Sequence, residues 1–336
     1  MTADDNTALA RKLKRRRFLG VAAGATAAAL TGAAATPAAA SAPGRSPIVP
    51  PGRLGIQLYT VRDQVGTVGF AKVFEELEKY GYDEIEYAGY TQGNGPITLP
   101  QLRRLATDHG LKAIGSHVSH TGDYSFASTL GQVLDDAAAL GMPYIGTWAG
   151  PFRYGTTVDA VKRSAAEFNE YGAAAKARGM TWYTHNHSDE FAFCSDDPSV
   201  RIYDLMLAET DPALVKLEMD IFWAYVGQYR FSVRPDGTPA PFEPLDYVLA
   251  DPSRYPLFHV KDGEHDAASS WGYHMTDVGD GDIDYAGFAA AVTGTRFGRR
   301  THNWLVERDD AVDPNTNPAG SFSTARRSAE YLSGGC

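Results

Sequence analysis

The chain has little cysteine, no long apolar run and none of the short local signatures that mark many enzymes. Cys194 and Cys336 are its only cysteines in 336 residues, too few for a zinc-finger framework or a disulfide scaffold. The two are expected to stay unpaired. No stretch offers the ~20 strongly apolar residues of a membrane anchor; the run from Gly20 to about Leu30 is mostly Ala, Gly and Thr. A Gly-rich phosphate loop and a His-Glu-x-x-His motif are both missing. Basic residues are scarce in the body of the chain. Residues 1–40 hold six Lys/Arg and two Asp/Glu, so the remainder carries 25 basic and 39 acidic residues, a net of -14. Neutralising phosphates needs clustered Lys/Arg, so this balance excludes a nucleic-acid partner and an anionic membrane surface.

What the chain does contain is 43% hydrophobic and 21% charged residues, enough apolar material for a sizeable core. Its first forty residues read as an address. Arg15-Arg16-Arg17-Phe18-Leu19 follows a basic stretch and precedes the small-residue run, and Ala38-Ala39-Ala40-Ser41 suits signal-peptidase cleavage near Ala40. The arginine pair followed by Phe-Leu resembles a twin-arginine signal. Residues 1–40 are therefore expected to direct export through the twin-arginine machinery, with 41–52 a linker and 53–333 the folded domain. That route carries folded proteins, so a metal can be loaded before export.

From Leu54 onward strand-like runs alternate with helical ones. The expected strands are Leu54–Tyr59, Asp83–Ala88, Lys112–Val118, Tyr144–Trp148, Thr181–Asn186, Val215–Asp220, Leu257–Lys261 and Trp304–Glu307. Helical patterns fall at 70–80, 99–109, 129–140, 158–178, 200–208, 285–293 and 319–332. Gly81, Gly110, Gly141 and Gly179 stand where left-handed helix ends precede a strand. Eight such alternations imply a parallel sheet and match the (β/α)8 TIM barrel, here as one domain. A doubly wound sheet would show a Gly-rich turn after its first strand, where this chain has Thr60-Val61-Arg62-Asp63.

In a barrel the chemistry sits at the C-terminal strand ends. Those ends are Gln57 and Tyr59, Glu86, His117, Trp148, His185 with His187 and Glu190, Glu218 and Asp220, His259 and Lys261, and Glu307. Residues two apart share a strand face, so His185/His187, Glu218/Asp220 and His259/Lys261 each form a pair. Burying so many unpaired ionisable groups costs several kcal/mol each. A divalent cation would offset that cost, and mixed carboxylates and imidazole suit Mn²⁺, Mg²⁺, Co²⁺ or Zn²⁺. Glu86 and Glu218 serve equally well as internal ion-pair partners, and His117 as a hydrogen-bonded core histidine.

Five segments then carry a resemblance: Gly55-Ile56-Gln57-Leu58-Tyr59-Thr60-Val61-Arg62, Tyr183 to Phe191 (YTHNHSDEF), Leu217 to Trp223 (LEMDIFW), His259-Val260-Lys261-Asp262 and Val306-Glu307-Arg308-Asp309. In this order they resemble the sugar phosphate isomerase/epimerase family of xylose isomerase-like TIM barrels, and Val278 to Asp284 (VGDGDID) resembles that family's Gly-rich turn. The resemblance covers residues 53–333. It implies one divalent metal, commonly Mn²⁺, on Glu190, Asp220, His259 and Glu307, with Asp189 the neighbouring alternative to Glu190. It also implies proton handling by Glu190 and Glu307. Substrate contacts are expected from the residues at and near the strand ends: Gln57, Glu86, His117, Trp148, His185, His187, Trp223 and Lys261.

Such a site suits removal of a proton α to a carbonyl. A cation stabilises the charge that develops on oxygen, and two carboxylates move the proton. The expected activity is metal-dependent isomerisation or epimerisation of a keto-sugar. Phosphosugars are scarce outside cells, so a free or glycosidic substrate such as a 3-oxo-sugar is favoured. The aromatic-rich segments 221–242 and 262–282 are expected as lids over the pocket. A dehydratase or lyase of a 3-keto-sugar or inosose shares the α-proton step and is the alternative. A non-catalytic sugar-binding protein is less favoured, and an endonuclease would need a basic groove. The oligomeric state is open.

Overall fold

The structure, a computed structural model, describes residues 46–90, 96–295 and 301–335. The expected signal peptide and Cys336 lie outside the described residues. Eight strands form one parallel sheet: β1 (Leu54–Gln57), β2 (Glu84–Tyr87), β3 (Lys112–Ser116), β4 (Tyr144–Thr147), β5 (Thr181–His185), β6 (Val215–Asp220), β7 (Leu257–Val260) and β10 (Asn303–Val306). Their order is β3-β2-β1-β10-β7-β6-β5-β4. A parallel bridge from His117 to Gly146 joins the two outer strands, reinforced by Val118 N–H donating to Gly146 O at 2.8 Å. The strands thus run in a ring, a single-domain (β/α)8 barrel.

Local chemistry explains the alternation. Phe70, Val73, Phe74 and Leu77 lie on one face of the helix Arg62–Tyr80 and are all buried against the strands. Gly81 and Gly141 end their helices at φ 85° and 78°, a left-handed conformation that only glycine adopts without strain. At this same end of the barrel, Ile48 and Val49 N–H groups donate to Leu332 O at 2.9 and 3.2 Å. This ties the segment before β1 to the C-terminal helix Ser321–Leu332.

Two of the long segments expected as loops have regular structure. Ile221–Phe231 is a helix that begins directly at the end of β6. Asp220 starts it, since its Oδ1 accepts the Trp223 N–H at 2.8 Å, a side-chain cap the pattern Asp-Ile-Phe-Trp conceals behind its apolar residues. Part of the second segment folds as an antiparallel hairpin, β8 (Asp262–His265) with β9 (Tyr273–Thr276). Among the described residues no helix is long and apolar enough to cross a membrane.

The barrel interior is layered. Ile114, Tyr183, Leu257 and Leu305 form a small apolar cluster. Gly146 makes room for the Tyr183 ring, because a Cβ there would overlap the ring and its backbone. One alternation further along the strands, the inward residues become polar.

Candidate active site

Register brings these polar side chains together. His185 pairs with Glu218 across β5 and β6, and Asp220 pairs with His259 across β6 and β7. The result is a buried network of imidazoles and carboxylates. Glu86 accepts from Gln57 Nε2 at 2.7 Å and from the Tyr183 hydroxyl, and its Oε2 lies 2.7 Å from His259 Nε2. Glu218 Oε2 meets His117 Nε2 at 2.7 Å, His185 Nδ1 at 3.2 Å and His259 Nε2 at 3.2 Å. His259 Nδ1 lies 2.7 Å from Glu307 Oε2. Lys261 Nζ stands among three carboxylates, 3.0 Å from Asp220, 2.8 Å from Glu307 and 2.7 Å from Asp309.

These partners decide the charge states. Burial alone would lower His259, yet Glu218 and Glu307 hold its pKa well above the usual range. Burial likewise works against charge on Lys261, but Asp220, Asp309 and Glu307 keep it high. Glu307 is held well below the carboxylate range by Lys261 and His259, which overrule its burial. Glu218 is held low by His259 and His117 in the same way. His185 goes the other way: burial, with His259, His187 and His117 nearby, keeps its ring neutral. His187 is pushed down to about 4 by burial and then by Lys261. Burial raises Asp220 to about 6, with Lys261 pulling against it.

A cavity of about 540 Å³ opens above this network, lined among others by Tyr59, His117, Trp148, His187, Trp223 and Glu307. Its floor is charged and its rim aromatic. Tyr59 and Trp148 are 42% and 50% exposed there.

The donor set fits a divalent cation. Among the described residues two groups bring ligand atoms within 4.8 Å of one another: Asp220, His259 and Glu307, and His117, His185, Glu218 and His259. Glu218 Oε1 is buried without a hydrogen-bond partner, as a lone pair awaiting a cation would be. The first group is rich in carboxylate and the second in imidazole, so both oxygen- and nitrogen-preferring ions find donors.

The expected residues do not all converge. Gln57, Glu86, His117, His185, Asp220, His259, Lys261 and Glu307 belong to the network. Trp148, His187 and Trp223 line the cavity. Glu190 is in neither cation group. It sits in a 3-10 turn, Asp189–Phe191, where Oε2 accepts the His187 N–H at 2.9 Å and Oε1, unpartnered, packs against Gly150. Burial raises its pKa to about 8.

Two contributors, Tyr183 and Asp309, have no expected site role from sequence, and a third, Asn186, is an expected strand-end residue given none. Tyr183 donates to Glu86; its place two residues before His185, on the same strand face, was the available signal. Asp309 receives Lys261 Nζ on Oδ1 and Trp223 Nε1 on Oδ2, the latter at 3.0 Å. Asn186 ties β5 to β6, its Nδ2 donating to Asp220 O and its Oδ1 accepting the Asp220 N–H, both at 3.2 Å.

Comparison with known proteins accords with this architecture. A family profile described as xylose isomerase-like TIM barrel matches residues 66–320. No curated protein matches. Among solved structures, a sugar phosphate isomerase/epimerase from Parabacteroides distasonis ATCC 8503 is similar with 24% identity over 83% of this chain and 97% of its own, at a TM-score of 0.61. The IolI protein, solved with a bound zinc atom, is 15% identical over 84% of this chain and 98% of its own, at 0.60. An AP endonuclease of family 2 from Brucella melitensis is 13% identical over 83% and 98%, at 0.54. At these identities the likeness is one of fold.

Proposed function

Because the chain belongs to the xylose isomerase-like TIM barrel family, we propose that it is a divalent-metal-dependent isomerase or epimerase of a keto-sugar, exported from the cell. The observation that carries the reading is the convergence of Asp220, His259 and Glu307 with Lys261 at the floor of one cavity. Asp220, His259 and Glu307 would hold the cation. When bound, it supplies a Lewis acid for the oxygens beside the carbon that loses its proton.

The chain's own residues supply the rest. Glu307, kept ionised by Lys261 and His259, is the base that takes the α-proton. Lys261 presents a fixed positive charge to the oxygen on which negative charge develops. His185 and His187, both neutral, hold sugar hydroxyls. Glu190 is the second proton carrier of this reading: one oxygen has no partner, and burial keeps it protonated to about 8, the state a proton donor needs. Trp148 and Trp223 offer flat apolar faces to a sugar ring. The acidic body supports a neutral rather than a phosphorylated substrate. The Arg15-Arg16-Arg17-Phe18-Leu19 motif supports export.

The test is incubation of the metal-loaded protein with ketoses and 3-keto-glycosides in deuterated water. Deuterium is expected at one carbon beside the carbonyl with no change of skeleton. Glu307→Gln is expected to keep the fold and abolish the exchange. A product lighter by one water shows the dehydratase instead. Binding without exchange, or full activity in Glu307→Gln, overturns the assignment.

A further inference from the structure

The Gly-rich turn Val278–Ile283 has no part in the chemistry above, yet its main-chain amides converge on one point. Gly279 N–H and Gly281 N–H donate to Asp262 Oδ2 at 2.9 and 3.3 Å, and Gly263 N–H and Ile283 N–H donate to Oδ1 at 2.9 and 3.3 Å. A concave set of amides is the geometry that takes a phosphate or another anion. Here the anion is the protein's own buried carboxylate. Gly281 is required, because a Cβ on it would overlap Asp262 Oδ1. The same turn is stitched to the hairpin. Asp282 N–H donates to Gly263 O at 3.0 Å, and Asp282 Oδ2 accepts the His265 N–H at 2.7 Å.

Asp262 stands between two things the site needs. On one side is Lys261, whose carbonyl accepts the Tyr285 hydroxyl. On the other is the β8–β9 hairpin, which sets Trp271 against Trp223 with ring centroids 4.9 Å apart. Trp223 Nε1 in turn donates to Asp309, and Asp309 receives Lys261 Nζ. The strand end and the hairpin therefore reach the same ammonium group by two routes, and both start from one carboxylate.

We propose that Asp262 is a positioning residue: seated in the amide nest of Gly279–Ile283, its carboxylate fixes the strand end that carries Lys261 and the hairpin that holds Trp271 on Trp223. The functional half of this inference rests on the reading of Lys261 as substrate-facing. A corollary is that the nest, already filled, offers no seat to a substrate phosphate.

The experiment uses full-length Asp262→Ala, which empties the nest and leaves a carboxylate-sized gap. Three results are expected. The hairpin tip, residues 266–272, becomes open to chymotrypsin while the barrel stays resistant. The kcat/KM for proton exchange falls about 10- to 100-fold, as when a residue orienting an active-site group is lost. Added acetate, a free carboxylate that can re-enter the nest, restores both protease resistance and most of the lost kcat/KM. A part that only stabilised the fold would give a loss that acetate does not repair well below the melting temperature. That result, or wild-type proteolysis and kinetics, overturns the proposal. Should Asp262→Ala fail to fold, Gly281→Ala crowds the same contact with Asp262 in place, and wild-type behaviour there is equally fatal. Proteolysis and its acetate dependence need no turnover, so they decide the nest even if the assigned reaction proves wrong.

Discussion

Replacing Lys261 with methionine removes the cation on which the metal-free site depends. Its Nζ lies 2.7–3.0 Å from three carboxylates. At an effective dielectric of ~20 each such contact is worth about 6 kcal/mol of Coulomb energy, but desolvation of the ammonium consumes most of it. Asp309 is partly exposed and counts for less than Asp220 and Glu307, which are buried. Breaking a buried pair by removing one partner typically costs 3–5 kcal/mol. For a barrel of this size, whose unfolding entropy is about 0.6 kcal/mol/K, that lowers the melting temperature by about 5–8 °C.

The assay is thermal unfolding of both proteins in chelator and again with Mn²⁺. The cation should stabilise Lys261→Met more than wild type, because it meets carboxylates that have lost their counter-ion. The deficit should also depend on pH. In wild type the Glu307 pKa is depressed, so its stabilisation is present above the ordinary carboxylate range and fades as pH falls through the folded value. The gap between the two proteins should therefore be widest at neutral pH and close in acid. A melting temperature within about 2 °C of wild type, or an equal Mn²⁺ effect on both, would refute the reasoning.

Glu84, at the opposite end of the barrel strands, tests burial without the site. Desolvation raises its pKa to about 7, so its favourable share is complete below pH ~4.5 and is lost as pH rises towards 7. Urea unfolding of wild type and Glu84→Gln should differ in slope against pH, by up to about 3 kcal/mol between the two ends; parallel profiles would contradict the shift. Asp220→Ala and His259→Ala should each lower bound metal from stoichiometric to substoichiometric by elemental analysis. Unchanged content removes that residue from the ligand set.

The strand-helix alternation was legible because its signals are local: period-two and period-3.6 apolar spacing, and glycine at helix ends. Those patterns determined the fold class, and strand-end reasoning named most of the network, since residues such as His259 and Lys261 have no packing reason to be there. What sequence could not reveal is which donors meet. Asp220 reaches His259 because β6 and β7 pair in one register, and His117 reaches Glu218 across 101 positions of chain. Glu190 shows the limit from the other side: the motif names the residue, while the 3-10 turn decides that one carboxyl oxygen takes the His187 amide and the other faces Gly150. The helix after Asp220 and the hairpin after Lys261 were likewise settled by docking of aromatic rings and by one carboxylate among distant amides. Spacing along a chain encodes what each segment does alone; the distances between segments arise only when the ring of strands closes.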